Sequence, residues 1–160
     1  MRRLLRNLGR TGVGVAASAA LGIVATTPES DWYLALDKPS WQPPPLAFPL
    51  VWTPLYADIA VTSAAALSSL EKSGRTAEAS ALRRALGFNL ALNTGWSVLF
   101  WRSRRPWFST AWCALLTAQS ADLTRRIGAV DPRLGSALAP YPAWCAFATA
   151  LNVSIARRNA

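Results

Sequence analysis

The chain has 160 residues, 52% of them hydrophobic and only 16% charged, with a formal net charge of +9 and no histidine. A soluble domain carries about a quarter charged residues, so this chain is short of solubilising groups. The missing histidine excludes His-based metal sites, Ser-His triads and histidine-ligated haem. The 17 Lys and Arg residues sit at the ends of apolar runs rather than along one stripe, which argues against a nucleic-acid partner and matches the flanks of membrane helices.

In chain order, residues 11–27, 85–101 and 134–156 carry no charge, 47–70 carry only Asp58, and 106–123 only Asp122. A helix needs roughly 17 to 20 apolar residues to cross a bilayer core. The runs are continuous and rich in Ala and Leu, without the alternation of a membrane strand. They predict an all-α membrane protein, a five-transmembrane-helix bundle in one domain over 1–160. The expected spans are 8–27, 47–70, 79–101, 106–127 and 134–157.

The first span follows a basic start, Arg2, Arg3, Arg6 and Arg10. A basic start, a short apolar centre and small residues also describe a secretory signal peptide; we read the segment as a retained first span. Gly12, Ala16 and Ala20 recur on one face. The first connection, 28–46, is the long one. Its Asp-Trp-Tyr-Leu-Ala stretch suits one helical turn capped by Ser30 or Asp31. Beyond it, residues 38–56 hold six prolines, two tryptophans, a phenylalanine and a tyrosine. Pro39, Pro43, Pro44 and Pro45 force an extended, stiff path. A stiff aromatic loop of this length is more often a lid or binding element than a linker.

Pro49 suits the first turn of span two, and Pro54 is a candidate kink. Asp58 lies deep in that span, where a carboxylate is costly and marks a candidate functional group. In span three, Gly87, Ala91 and Gly95 form a small-residue stripe of the kind that lets two membrane helices approach, either within the bundle or as a homodimer seam. Asn89 and Asn93 lie one turn apart on a shared face, continued by Trp96 and Phe100. They can join helices or hydrogen-bond a ligand. Trp101, Trp107 and Trp112 lie near span ends and fit an interfacial belt. Trp52 and Trp144 lie inside apolar runs and can fill the core or wall a flat aromatic ligand. Cys113 and Cys145 read as small core thiols. Asp122 precedes Arg125 and Arg126 and is expected to pair with them.

Five spans put the termini on opposite sides. The N-terminal side then gathers Arg2, Arg3, Arg6, Arg10, Lys72, Arg75, Arg83, Arg84, Arg125, Arg126 and Arg133. The other side gathers Lys38, Arg102, Arg104, Arg105, Arg157 and Arg158. The excess places the N-terminus in the cytoplasm.

Three blocks carry a resemblance. Trp32, Tyr33, Leu36, Lys38, Pro39, Trp41, Pro43, Pro44, Phe48, Pro49, Trp52, Leu55 and Tyr56 form the first. Leu92, Asn93, Trp96 and Phe100 form the second. Pro140, Tyr141, Trp144, Phe147, Ala148, Leu151 and Asn152 form the third. Together they resemble the translocator protein family, the tryptophan-rich sensory proteins or peripheral-type benzodiazepine receptors, in a bacterial form. The resemblance implies a dimeric five-helix bundle in the cell membrane, whose first loop covers a pocket for porphyrins. It also implies light-dependent porphyrin breakdown in some bacterial members, with Trp52 and Trp144 at the matching catalytic positions. Tyr33, Trp41, Asn89, Trp96 and Ala148 match pocket positions, and Phe48, Asn93 and Phe147 complete the expected ligand-binding set. No metal or resident cofactor is expected; the partners are a tetrapyrrole, membrane lipid and a second copy. Transport of porphyrin or another amphipathic molecule is one alternative, although the sequence shows no internal repeat of the kind transporters use. A lipid- or sterol-binding scaffold is another. Val153 stands where the animal sterol motif has a tyrosine, and Asn89 stands where many members have glutamine.

Overall fold

The computed structural model describes residues 1–159. They form α1 (Arg2–Ala25), α2 (Asp31–Ala35), α3 (Ala47–Lys72), α4 (Thr76–Ser103), α5 (Pro106–Gly128), α6 (Pro132–Leu138) and α7 (Pro140–Arg158). The long helices α1, α3, α4 and α5 cover the first four charge-poor runs, with shifted ends. The first starts at Arg2 rather than residue 8, because arginine and leucine are good helix formers and nothing in the basic start opposes the helix. The fifth run is two helices rather than one. The chain breaks at Ala139, ahead of Pro140 and Pro142, which supply no N–H to a preceding turn. Asp131 caps α6 by accepting the Arg133 N–H at 2.8 Å. The expected turn in the first loop is present as α2, but neither Ser30 nor Asp31 caps it with its side chain. α3 runs unbroken through Pro54.

α1 packs on α3 and α4, α4 on α5, and α5 on α7, while α3 meets α5 and α7 only sparsely. At the α5–α6 corner, a Cβ on Gly135 would lie 2.6 Å from the Gly128 Cα, so this approach needs glycine. The core is mainly aliphatic, with Ile59, Leu70, Leu123 and Ile127 fully buried, but Asn7, Thr11, Ser18, Ser63, Asn89, Asn93, Ser109, Ser120 and Asn152 are buried among them. The outer face is apolar, with Val13, Ile23 and Val24 each more than 70% exposed. An apolar exterior around small buried polar groups suits lipid rather than water. Two helices, α1 and α3, are by themselves long and apolar enough to cross a membrane.

One end of the bundle is clamped by Glu71, at the close of α3. Its carboxylate takes Arg6 at 2.7 Å, Asn7 at 3.3 Å, and also Arg83; Arg3 bonds its backbone oxygen at 2.7 Å. The clamp joins the starts of α1 and α4 to the end of α3. Burial pushes the Glu71 carboxyl up, but the Asn7 amide and the Arg6 and Arg83 guanidinium groups outweigh this and hold it below the usual glutamate range. A depressed carboxyl adds stability that is full above its unfolded pKa, about 4.3, and is lost as pH falls through the folded value. Thermal denaturation in detergent should therefore show wild type ahead of Glu71→Gln near neutral pH, with the gap closing below about pH 4. A gap that stayed constant down to pH 3 would mean the clamp acts by packing alone.

Candidate ligand pocket

The sparse contact between α3 and α7 leaves a small internal cavity of about 20 Å³. Phe48 and Trp52 come from α3, Trp96 from α4, Cys113 and Leu116 from α5, and Trp144, Cys145 and Ala148 from α7. Two pairs of wall residues repeat at helical spacing: Phe48 and Trp52 four apart, and Trp144 and Ala148 four apart. Trp144 stacks on Phe147 with centroids 5.1 Å apart and meets Phe48 edge-on at 6.2 Å. Trp52 stacks on Tyr56 at 5.2 Å, and Trp96 on Phe100 at 5.4 Å. The indole N–H groups of Trp96 and Trp144 are both buried without a hydrogen-bond partner. A buried, unpaired donor costs free energy, so each is a ready anchor for an acceptor.

A hydrogen-bonded chain links four helices. Tyr56 donates to Asn93 Oδ1 at 2.8 Å, and Asn93 Nδ2 donates to the Tyr141 hydroxyl at 3.4 Å. Tyr141 donates to Asn89 Oδ1 at 2.8 Å, and Asn89 Nδ2 donates to Gln119 Oε1 at 2.7 Å. Gln119 ends the chain on the Ala85 carbonyl at 3.0 Å. It ties α3, α4, α5 and α7 together with nearly every polar atom satisfied.

The first loop lies over the same end of the bundle. Trp32 and Tyr33 pack on Phe100, and Tyr33 on Trp101 at 4.8 Å. Trp41 reaches across to Phe147 at 5.8 Å. Tyr33 also ties the loop to itself: Gln42 donates to its hydroxyl at 3.3 Å, and the Lys38 ammonium sits 4.5 Å above its ring.

Of the residues expected at the site, Phe48, Trp52, Trp96, Trp144 and Ala148 converge on the cavity. Asn89 and Asn93 are instead committed to the interhelical chain, and Tyr33, Trp41 and Phe147 hold the loop. Cys113 and Cys145, read from sequence as core thiols, are buried and line the cavity. Leu116, Tyr141 and Gln119 were not among the expected site residues. Gln119, an amide in a run whose only charge is Asp122, was the available signal for a buried polar contact. Asp122 pairs with Arg125 at 2.6 Å and with Arg126. In the α4 stripe, Gly87 and Ala91 are exposed, whereas a Cβ on Gly95 would lie 2.8 Å from the Trp112 ring.

Residues 11–158 match the profile of the TspO/MBR family. The chain belongs to that family. Its relatives include a tryptophan-rich sensory protein of Cereibacter sphaeroides, 32% identical over 148 residues, 88% of this chain and 87% of the relative. The translocator protein of Homo sapiens is 34% identical over 128 residues, 80% and 75% of the two chains. CrtK of Rhodobacter capsulatus is 31% identical over 147 residues, 92% and 89%. The TspO/MBR family is membrane-integral, which accounts for the apolar exterior.

Proposed function

We propose that the protein is a membrane receptor for protoporphyrin-like tetrapyrroles, bound in the tryptophan-lined pocket beneath the first loop, and that it degrades the bound porphyrin in light. The supporting observation is the convergence of Trp52, Trp96 and Trp144 from three helices on one cavity, with the indole N–H groups of Trp96 and Trp144 buried without a partner. Flat π-systems satisfy the offset and edge contacts these rings prefer.

Ligand pockets of this kind run to several hundred Å³. At about 20 Å³ the cavity is far too small for a macrocycle, so one enters only as the loop lifts and Phe48 parts from Trp144. The thin α3–α7 contact is where the bundle yields most cheaply. The five long helices cross the bilayer with the N-terminus in the cytoplasm, which leaves the loop on the outer side. The test is titration of the purified protein with protoporphyrin IX in the dark, following tryptophan fluorescence and the Soret band, then illumination in air. Saturable quenching followed by bleaching supports the proposal. Absence of saturable quenching overturns it, and saturable binding without bleaching reduces it to a receptor.

The exposed part of the α4 stripe is the proposed homodimer seam. Gly95 already packs on Trp112, so a large residue there damages the protomer itself. Gly87 has open space, and Gly87→Leu should yield monomer by light scattering in detergent with little loss of protomer stability. A Gly87→Leu protein that stays dimeric moves the seam to another helix.

A further inference from the structure

The first loop is fastened to the far end of the chain by a contact that no aromatic pattern announces. The Asn159 side chain takes both backbone groups of Asp37. Its Oδ1 accepts the Asp37 N–H at 2.9 Å, and its Nδ2 donates to the Asp37 carbonyl at 2.9 Å. The same Nδ2 caps α7 on the Ile155 carbonyl at 2.8 Å. Arg158 adds a longer contact, 3.4 Å, to the Asp37 carboxylate. We propose that Asn159 is a latch that holds the first loop shut over the pocket, and so a positioning residue that sets how fast ligand enters and leaves.

Three observations support it. The cavity is too small for a macrocycle, so some element must move. The loop is stiffened internally, by its prolines and by the Tyr33, Gln42 and Lys38 contacts, so it moves as one body rather than by unravelling. Its ties to the bundle are few: the aromatic contacts of Trp32 and Tyr33 on α4, that of Trp41 on α7, and the Asn159 pair. The Asn159 pair alone joins backbone to an amide in a fixed two-point geometry. Neutral hydrogen bonds of this kind add up where they are satisfied together. The Arg158–Asp37 pair is exposed on both sides, and such pairs contribute little. The latch is therefore assigned to the amide and not to the charge.

The ligand in this inference rests on the proposed porphyrin site, but the latch itself is read without ligand. Hydrogen exchange of the ligand-free protein should show the Asp37 amide and its neighbours exchanging roughly tenfold faster in Asn159→Ala, equivalent to about 1.4 kcal/mol. Asn159→Asp keeps the acceptor but loses the donor, and should fall between. Asp37→Ala retains both backbone groups and should match wild type. Exchange at the Glu71 end should be unchanged in all three. Stopped-flow mixing with protoporphyrin IX should then show both association and dissociation accelerated in Asn159→Ala, with a smaller change in Kd. A loop exchanging at the wild-type rate in Asn159→Ala overturns the latch. So does an effect of Asp37→Ala as large as that of Asn159→Ala. Faster loop exchange with unchanged porphyrin rates overturns the gating role. A wild-type protein that binds no porphyrin defeats the receptor proposal while the exchange measurement still decides the latch.

Discussion

Trp52→Phe and Trp144→Phe are each expected to bind protoporphyrin within roughly tenfold of wild type, about 1.4 kcal/mol, while losing most light-driven degradation. The two indoles face the same cavity from α3 and α7. Phenylalanine keeps an aromatic wall and much of the packing. Trp144 has no hydrogen bond to lose within the protein, because its N–H is unpartnered. What the substitution removes is an easily oxidised ring. The chain offers little else for the chemistry: it has no histidine, and no carboxylate lines the cavity, so general acid–base catalysis lacks candidates. Indole oxidation by an excited porphyrin or its dioxygen products is the contribution most available to the protein. Steady-state bleaching in air, with binding measured in the dark on the same samples, separates the two effects. If both variants bleach porphyrin at the wild-type rate, the tryptophans are walls and the protein is a binder.

The sequence made the long helices legible because charge is costly in lipid and gaps between charges can be counted. Trp52 and Trp144 were legible as candidate walls because each lies inside an apolar run, whereas Phe48 and Ala148 were legible only through the resemblance to the family. The roles of Asn89 and Asn93 were open, because spacing puts them on one face without saying what faces them. Gln119 lies 30 residues away and Tyr141 about 50, and their arrival depends on how α5 and α7 rotate. The link from the Asp37 backbone to the Asn159 side chain spans 122 residues and leaves no periodic trace. The closure of the pocket was equally hidden. A void of about 20 Å³ is a small difference between large packed volumes, and one rotamer at Trp144 or Phe48 would change it.

The hydrogen-bonded chain below the pocket predicts the largest stability effect in the molecule. Tyr141 is fully buried, and its hydroxyl both accepts from Asn93 and donates to Asn89. Tyr141→Phe keeps the ring and its edge contact with Trp52 but strands Asn89 Oδ1. It also removes the acceptor of Asn93 Nδ2. Leaving a buried polar group unpaired costs about 1–3 kcal/mol, whereas hydrogen bonds between membrane helices average about 0.6 kcal/mol. A loss of about 2 kcal/mol is expected, lowering Tm by roughly 4–8 °C for a chain of this size. Tyr56→Phe should cost less, since that hydroxyl makes one bond, to Asn93. The decisive comparison is the double variant Tyr141→Phe with Asn89→Leu. Removing both partners of a buried hydrogen bond is far cheaper than removing one, so the double variant should be more stable than the sum of the single losses, although Gln119 Oε1 then loses its donor. Strict additivity would mean that the amides find other partners and that the chain does not hold α4 to α7. If the coupling is present, the bundle is fixed at the level of Asn89 and Asn93, and opening for a ligand is confined to the loop end, where Phe48 and Trp144 meet.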